Sequence, residues 1–112
     1  MTPRNLIALA ALPLIAACAQ GPDSIAAVPM GNAFATYDCR SAAVDLAAER
    51  QNLTVLEGQQ RGAVAGDAIG VFLIGVPTSS LTGGDKAGLI GVAKGKVAAL
   101  EARVAICGSA AL

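Results

Sequence analysis

The stretch CRSAAVDLAAERQNLTVLEGQQR, residues 39–61, decides the fold of this chain. Its apolar and small side chains, with one glutamine, recur at helical intervals of three, four and seven residues: Cys39, Ala42, Leu46, Leu53, Leu56 and Gln60. This spacing places them on one face of a helix, while the charged side chains lie mostly on the other faces. The sequence therefore predicts a first helix of about 23 residues, ~34 Å long at ~1.5 Å per residue.

A second stretch, residues 86–108, has the same kind of pattern. Its apolar face steps by four, four, three, four and three residues: Leu89, Ala93, Val97, Leu100, Val104 and Cys107. Thr82 and Asp85 have the spacing of a capping box at its start, and Gly108 is typical of a helix end. The pattern predicts a second helix of about 21 residues, ~32 Å long and nearly equal to the first.

The first residues of the chain, MTPRNLIALAALPLIAA at positions 1–17, are typical of a secretory signal peptide. Arg4 supplies one positive charge, and the apolar run that follows is interrupted only by Pro13 and ends in small residues. A run of about a dozen apolar residues is shorter than the ~20 that a membrane-spanning helix needs. We therefore expect the segment to be cleaved rather than kept as an anchor.

Residues 14–18, LIAAC, resemble the lipobox of bacterial lipoproteins. The resemblance implies that the Cys18 thiol carries a diacylglycerol, that the peptide is cut before Cys18, and that the new amino terminus is acylated, for example with palmitate. Two or three acyl chains anchor a protein stably, whereas one binds marginally. Because Ala19 rather than Asp follows Cys18, the family's sorting tendency implies the outer membrane. The alternative is an ordinary signal peptide with a coincidental cysteine.

An envelope location favours a disulfide between the other two cysteines, because disulfides persist outside the reducing cytosol. Cys39 begins the first predicted helix and Cys107 ends the second, so antiparallel packing would bring the two thiols together. We expect a disulfide there, and closing its loop of roughly 70 residues would remove unfolded-chain entropy worth ~4 kcal/mol. Two separately buried thiols are the alternative. The predicted fold of residues 37–112 is all-α, an antiparallel two-helix hairpin closed by a disulfide.

Between the predicted helices lies a Gly-rich apolar segment, GAVAGDAIGVFLIGVPTSSLTGGDK, residues 62–86. Its glycines at four-residue intervals resemble the glycine zippers of some bacterial envelope proteins. In an apolar helix this spacing forms a smooth strip that another backbone can approach closely, although turn-forming glycines and membrane insertion are alternatives. Asp67 and the shortness of the segment disfavour a full membrane span.

The most apolar part of this segment, residues 69–76, fits either a strand or a buried helix. We expect the first helix to break among the glycines, with residues 68–76 folded against both helices, since these apolar side chains would otherwise lie in water. If they protrude instead, we expect a membrane, a partner protein or a second copy to cover them. The predicted interaction surface comprises three glycines and three apolar side chains: Gly62, Gly66, Gly70, Phe72, Leu73 and Ile74.

The residues before the first helix, 18–36, contain two prolines and no helical periodicity. They predict a lipidated N-terminus followed by a flexible tether, up to ~60 Å long when fully stretched. The order of lipobox, tether, Cys-led helix, apolar segment and second helix ending in cysteine resembles small lipoproteins of alphaproteobacteria. This resemblance implies an architecture and no activity.

Composition excludes several classes of function. The chain has no histidine, which removes His-based acid–base, nucleophilic and zinc sites. Eight Lys and Arg balance eight Asp and Glu, and two Phe with one Tyr are the only aromatic residues, so neither phosphates nor bases find a binding surface. Asp67 and Asp85 are too few for a calcium cage and fit capping roles better. We expect no enzyme activity, cofactor, metal, small-molecule substrate or nucleic acid.

Together these features predict a lipid-anchored protein of the bacterial envelope that faces the periplasm. We expect it to act as a structural or interaction module, held at the membrane by the lipid on Cys18, with an envelope protein partner or a second copy of itself. The alternative is a small membrane-active lipoprotein whose Gly-rich apolar segment inserts into a bilayer. A redox role for Cys39 and Cys107 is disfavoured, because no neighbouring base would lower a thiol pKa.

Overall fold

The computed structural model describes residues 18–110, and the predicted signal peptide, residues 1–17, lies outside the described residues. A short 3₁₀ turn, Pro22–Ser24, precedes three helices. These helices are α1, Cys39–Ile74; α2, Thr78–Leu81; and α3, Ala87–Ala110. The predicted all-α fold is confirmed over the described residues, which form three helices where the sequence predicted two.

Both ends of α1 are fixed by residues with the conformations that helix ends require. The carboxylate of Asp38 accepts a hydrogen bond from the backbone N–H of Ser41 at 2.9 Å, which satisfies an N–H that has no partner within the helix. The same bond holds the pKa of Asp38 below its ordinary value. At the other end Gly75 adopts a φ of 77° and donates its N–H to the carbonyl of Val71, and Pro77 follows.

The predicted break of the first helix among Gly62, Gly66 and Gly70 is wrong, because α1 runs through all three without interruption. Helix α1 has 36 residues and α3 has 24, so the expectation of nearly equal helices is also wrong. A glycine inside a helix costs ~1 kcal/mol relative to alanine. At Gly66 and Gly70, packing of the following residues directly onto the glycines offsets this cost.

Helices α1 and α3 pack along each other in opposite directions. At one end a disulfide joins Cys39, the first residue of α1, to Cys107 near the end of α3, with 5.8 Å between the two Cα atoms. Further along, Arg50 on α1 pairs with Glu101 on α3 at 2.8 Å, although exposed pairs of this kind contribute only about 0–1 kcal/mol. The predicted disulfide between Cys39 and Cys107 is therefore confirmed.

The apolar core near the disulfide lies between the two long helices. Ala42, Leu46 and Leu100 are buried at its centre. Phe34 and Tyr37, which precede α1, pack against this centre, and their rings meet edge to face with centroids 5.5 Å apart. The chain before α1 therefore completes the core.

The predicted inner face of α3 is wrong at one position. Leu89 is 57% exposed, whereas the neighbouring Ile90 is fully buried. Ile90 is three residues from Ala93 and seven from Val97, so it continues the same helical face one position later than expected.

Residues 19–37, hereafter the N-terminal segment, lie along α1 and α3, whereas residues 18–36 were expected to form a flexible tether. Pro22 and Ile25 are buried in the segment's contact with the helices. The backbone N–H of Val28 donates to the carbonyl oxygen of Gly91 on α3 at 2.9 Å. The segment starts beside Asp67 of α1 and ends at the start of α1, so it runs towards the disulfide.

Candidate functional site at the Asp67 end of the molecule

Asp67 lies on α1 with its side chain almost completely buried, 1% exposed. Three donors from two other parts of the chain reach its carboxylate. The backbone N–H groups of Ala19 and Ser80 each donate at 2.7 Å, and the Ser80 hydroxyl donates as well. A single carboxylate thus ties the beginning of the N-terminal segment and helix α2 to α1.

Two opposing effects act on the pKa of the Asp67 carboxyl. Burial raises this pKa, because it disfavours the charged form. The hydrogen bonds from the Ser80 hydroxyl and from the backbone of Ala19 and Ser80 lower it, with the smallest contribution from the Ser79 backbone nearby, and together they leave the pKa below its ordinary value. The charged carboxylate is therefore the form that the fold stabilises. Asp67 does not occupy the helix-capping position expected from the sequence, but joins the N-terminal segment and α2 to α1.

Gln60, seven residues before Asp67 on α1, makes a second buried polar junction. Its side-chain amide nitrogen donates to the carbonyl oxygen of Gln20 at 2.8 Å and to Asp85 Oδ1 at 2.9 Å. Its amide oxygen accepts from the backbone N–H of Lys86 at 2.6 Å, so both ends of a fully buried amide are satisfied. Gln60 thereby holds the N-terminal segment and the residues just before α3 against α1.

Helix α3 holds the N-terminal segment through one lysine and two glycines. The Lys94 ammonium donates to the carbonyl oxygens of Pro22 at 2.6 Å and Ile25 at 2.8 Å. The segment's backbone also passes directly over α3, so that a methyl group added at Gly95 would overlap the carbonyl oxygen of Val28. At Gly91 an added methyl group would lie 3.2 Å from the carbonyl oxygen of Ala26, which is tight but less severe.

The three glycines that predicted an interaction surface on α1 have different surroundings. Beside Gly70, an added methyl group would lie 2.5 Å from the Val76 carbonyl oxygen, and beside Gly66 it would meet the side chain of Ser79. At Gly62 no atom of the described residues lies within 4 Å of such a group. The close approach predicted from the four-residue spacing therefore occurs within this chain at Gly66 and Gly70, where the connection to α2 covers the strip.

The last three residues of α1, Phe72, Leu73 and Ile74, form the apolar tip of the molecule. Their exposed fractions are 87%, 69% and 67%, so all three project into solvent. Residues 68–84 contain no Asp, Glu, Lys or Arg. The tip is therefore an exposed apolar surface with no charged side chain in the surrounding stretch of sequence.

Cys18, the predicted lipidation site, lies near this tip. It is half-buried and stands outside the disulfide. The backbone N–H of its neighbour Ala19 donates a hydrogen bond to Asp67. Asp67 lies seven residues before Ile74, the last residue of α1, which is ~10 Å along the helix axis. The structure thus brings Cys18 and the apolar part of the predicted interaction surface to the same end of the molecule.

Across residues 18–110, no three Cys, Asp or Glu side chains group together in a way that could hold a metal ion. None of the described helices combines the length and the apolar character needed to cross a bilayer. A cleft of about 300 Å³ near the disulfide end is lined by both charged and apolar side chains, including Phe34, Glu49 and Lys96.

Comparison with known proteins identifies no family for this chain. No protein-family model matches this chain, and searches of curated proteins and of solved structures find no match.

The sequence contains signals for two structural roles that were not predicted, the N-cap of Asp38 and the buried junction at Asp67. Asp38 has a plain signal, because it is a preferred N-cap residue type directly before the first position of α1. The signal for Asp67 is its register. The buried positions Gln60, Ala63, Asp67 and Gly70 step by three, four and three residues and so extend the inner face of α1. A lone carboxylate on an inner face predicts a paired, buried group.

Proposed function

We propose that this protein is a lipid-anchored component of the bacterial envelope, placed at the outer membrane and facing the periplasm. In this proposal it is not an enzyme but a structural or interaction module, anchored through acyl groups on Cys18. The scaffold is the antiparallel pair α1 and α3, closed as a hairpin by the Cys39–Cys107 disulfide.

The observation that carries the proposal is where the chain after Cys18 is held. Ala19, the residue that follows the lipobox-like sequence, is hydrogen-bonded to the buried Asp67. The bonds that hold the N-terminal segment, from Asp67, Gln60, Lys94 and Gly91, all reach residues after Cys18. Cleavage before Cys18 would leave every one of these bonds in place.

Metabolic labelling with palmitate in a Gram-negative host, followed by membrane fractionation, tests the anchor. We expect label in the wild-type chain and its recovery with the outer membrane. The Cys18→Ser variant should carry no label, whereas the matched Cys107→Ser variant, which also lacks one thiol, should keep it. Equal labelling of wild type and Cys18→Ser, or none in either, would contradict the proposal.

The exposed apolar tip also favours a second candidate, a membrane-active lipoprotein whose apolar segment inserts and perturbs a bilayer. Such insertion would have to carry Asp67 into the membrane, which is costly for a charged carboxylate. Dye leakage from vesicles separates the two functions. A membrane-active protein releases the dye, and the Asp67→Asn variant, which removes the charge, should release more, whereas the proposed module leaves the vesicles intact.

A further inference from the structure

The apolar tip is an exposed surface that none of the other described residues covers. Phe72, Leu73 and Ile74 are each about two-thirds exposed or more, and because they are consecutive they spread over more than half of the circumference of α1. The exposed Ile69, three residues before Phe72 and four before Leu73, continues this apolar surface along the helix. The tip therefore resembles the end of a rod that enters an apolar phase.

The position of Cys18 indicates that a lipid leaflet is the apolar phase that contacts the tip. Ala19 is held on Asp67, about 10 Å from the end of α1 along its axis. From there the N-terminal segment runs away from the tip, towards the disulfide, through its contacts with Gln60, Lys94 and Gly91. Cys18 consequently lies at the tip end of this segment, not at the end of a free tether.

We infer that the apolar tip is a membrane-contact surface, and that Phe72, Leu73 and Ile74 enter the headgroup layer of the leaflet that receives the acyl chains of Cys18. This inference rests on the proposed lipidation. A headgroup layer is ~5–8 Å thick on each side of a ~30 Å hydrocarbon core, which is comparable to the reach of the tip beyond Cys18. Phe72, Leu73 and Ile74 can therefore reach whichever leaflet holds the acyl chains of Cys18.

The residues beside the tip limit how deeply it enters. Thr78, Ser79 and Ser80 form the polar start of α2, which packs on α1 next to Gly66 and Gly70. The charged residues that bound the neutral stretch are Arg61 on α1 and Asp85 before α3, in addition to the buried Asp67. The contact is therefore interfacial, since deeper entry would bring polar groups into hydrocarbon.

This contact fixes the direction of the rod. With the tip in the leaflet, the disulfide end of this 36-residue helix projects roughly 50 Å from the membrane surface when the helix stands upright. Two points of attachment, the acyl chains and the tip, restrict the tumbling that a single flexible tether would allow.

The chain contains no tryptophan, so one introduced indole reports its own surroundings. We propose Phe72→Trp at the tip and Ile106→Trp as the matched control, because Ile106 is also exposed, at 59%, but lies beside Cys107. Each full-length variant is produced in the Gram-negative host and purified with its lipid. It is then reconstituted in phosphatidylcholine vesicles whose acyl chains carry bromine near the glycerol. Leu73→Trp repeats the test, and circular dichroism verifies the fold of each variant.

We expect bromine to quench the Phe72→Trp fluorescence several-fold more than that of Ile106→Trp, with a blue-shifted emission. Equal, weak quenching at both positions in lipidated protein would overturn the tip contact and leave the anchor standing. A blue shift without quenching would mean that a second copy or another protein covers the tip, which overturns the contact too. Stronger quenching by bromine at the acyl chain ends would show deep insertion and contradict an interfacial contact. Absence of lipid on Cys18, seen in the mass of the same sample, would overturn both proposals.

Discussion

Replacement of Gly95 by alanine tests whether the N-terminal segment is an integral part of the fold. An added Cβ at this position would overlap the carbonyl oxygen of Val28 and lie 3.0 Å from its carbonyl carbon. These are backbone atoms, so no side-chain rotation relieves the overlap. The segment must move away from α3 at the point where the Val28 N–H bonds to Gly91.

The expected magnitude follows from four contributions. Alanine in place of glycine inside a helix stabilises by ~1 kcal/mol. Against this stand the overlap itself, ~1–3 kcal/mol for an overpacked site, and ~1 kcal/mol for the hydrogen bond between Val28 and Gly91. Partial exposure of the buried Ile25 adds up to ~1.5 kcal/mol more. We expect Gly95→Ala to lower the free energy of unfolding by about 1–4 kcal/mol.

The matched control is Gly62→Ala, because a Cβ at Gly62 would meet nothing within 4 Å. It should raise the free energy of unfolding by ~0.5–1 kcal/mol through helix propensity alone. Thermal unfolding followed by far-ultraviolet circular dichroism, with the disulfide intact, measures both, at ~4–8 °C per kcal/mol for a domain of this size. Stabilisation of Gly95→Ala equal to that of Gly62→Ala would refute the reasoning, since the segment would then not lie on α3.

Three further predictions concern the bonds that hold the ends of the molecule together. Reduction of the Cys39–Cys107 disulfide should lower the free energy of unfolding by up to ~4 kcal/mol, as urea titration with and without reductant measures, and an unchanged midpoint would contradict it. Because the folded-state pKa of Asp67 is lowered, its contribution to stability is complete above the ordinary Asp pKa of ~3.9 and is lost as the pH falls through the folded-state pKa. Asp67→Asn should therefore cost ~1–3 kcal/mol at neutral pH and weaken the acid dependence of stability below about pH 4, and a variant with the wild-type pH profile would exclude this role. Lys94→Met removes the hydrogen bonds from the ammonium group to the carbonyl oxygens of Pro22 and Ile25 and should speed proteolysis of the N-terminal segment. Cleavage at the wild-type rate would show that Lys94 does not hold the segment.

The inner faces of the two long helices were predictable from the sequence because the apolar pattern repeats along each of them. Ala42, Leu46 and Leu100 occupy the core that the spacing predicts. The pairing of Cys39 with Cys107 followed from their places at opposite ends of the two patterns. The single error on the inner face, Leu89 in place of Ile90, arose because both are large apolar residues and both fit a helical step near the start of α3.

The length of α1 was not predictable from local pattern, because glycine is a weak helix former. Three glycines at four-residue intervals argue for a break when each residue is judged by propensity alone. What decides the outcome is tertiary: Gly66 and Gly70 are the positions where the returning chain packs onto α1. Four-residue spacing predicts a close approach correctly but does not identify the segment that makes it.

The placement of the N-terminal segment could not be predicted from the sequence, because tertiary contacts again decide it. Its own residues have no periodicity, and the features that hold it are distributed over both helices, in Asp67, Gln60, Lys94 and Gly95. Each of these has an ordinary local interpretation as a charged, polar or flexible residue of a helix. Only the folded arrangement shows that they line one path along the molecule.

The most direct test of the central claim, that Cys18 is an acylated N-terminus, is the intact mass of the protein extracted from native membranes. The mass should be measured with and without reduction before thiol alkylation. We predict a chain that begins at Cys18 and carries a diacylglycerol and an acyl group, with two cysteines alkylated only after reduction. A chain that begins elsewhere, or one with an unmodified Cys18 thiol, would contradict the lipid anchor and with it the proposed placement of the molecule at a membrane.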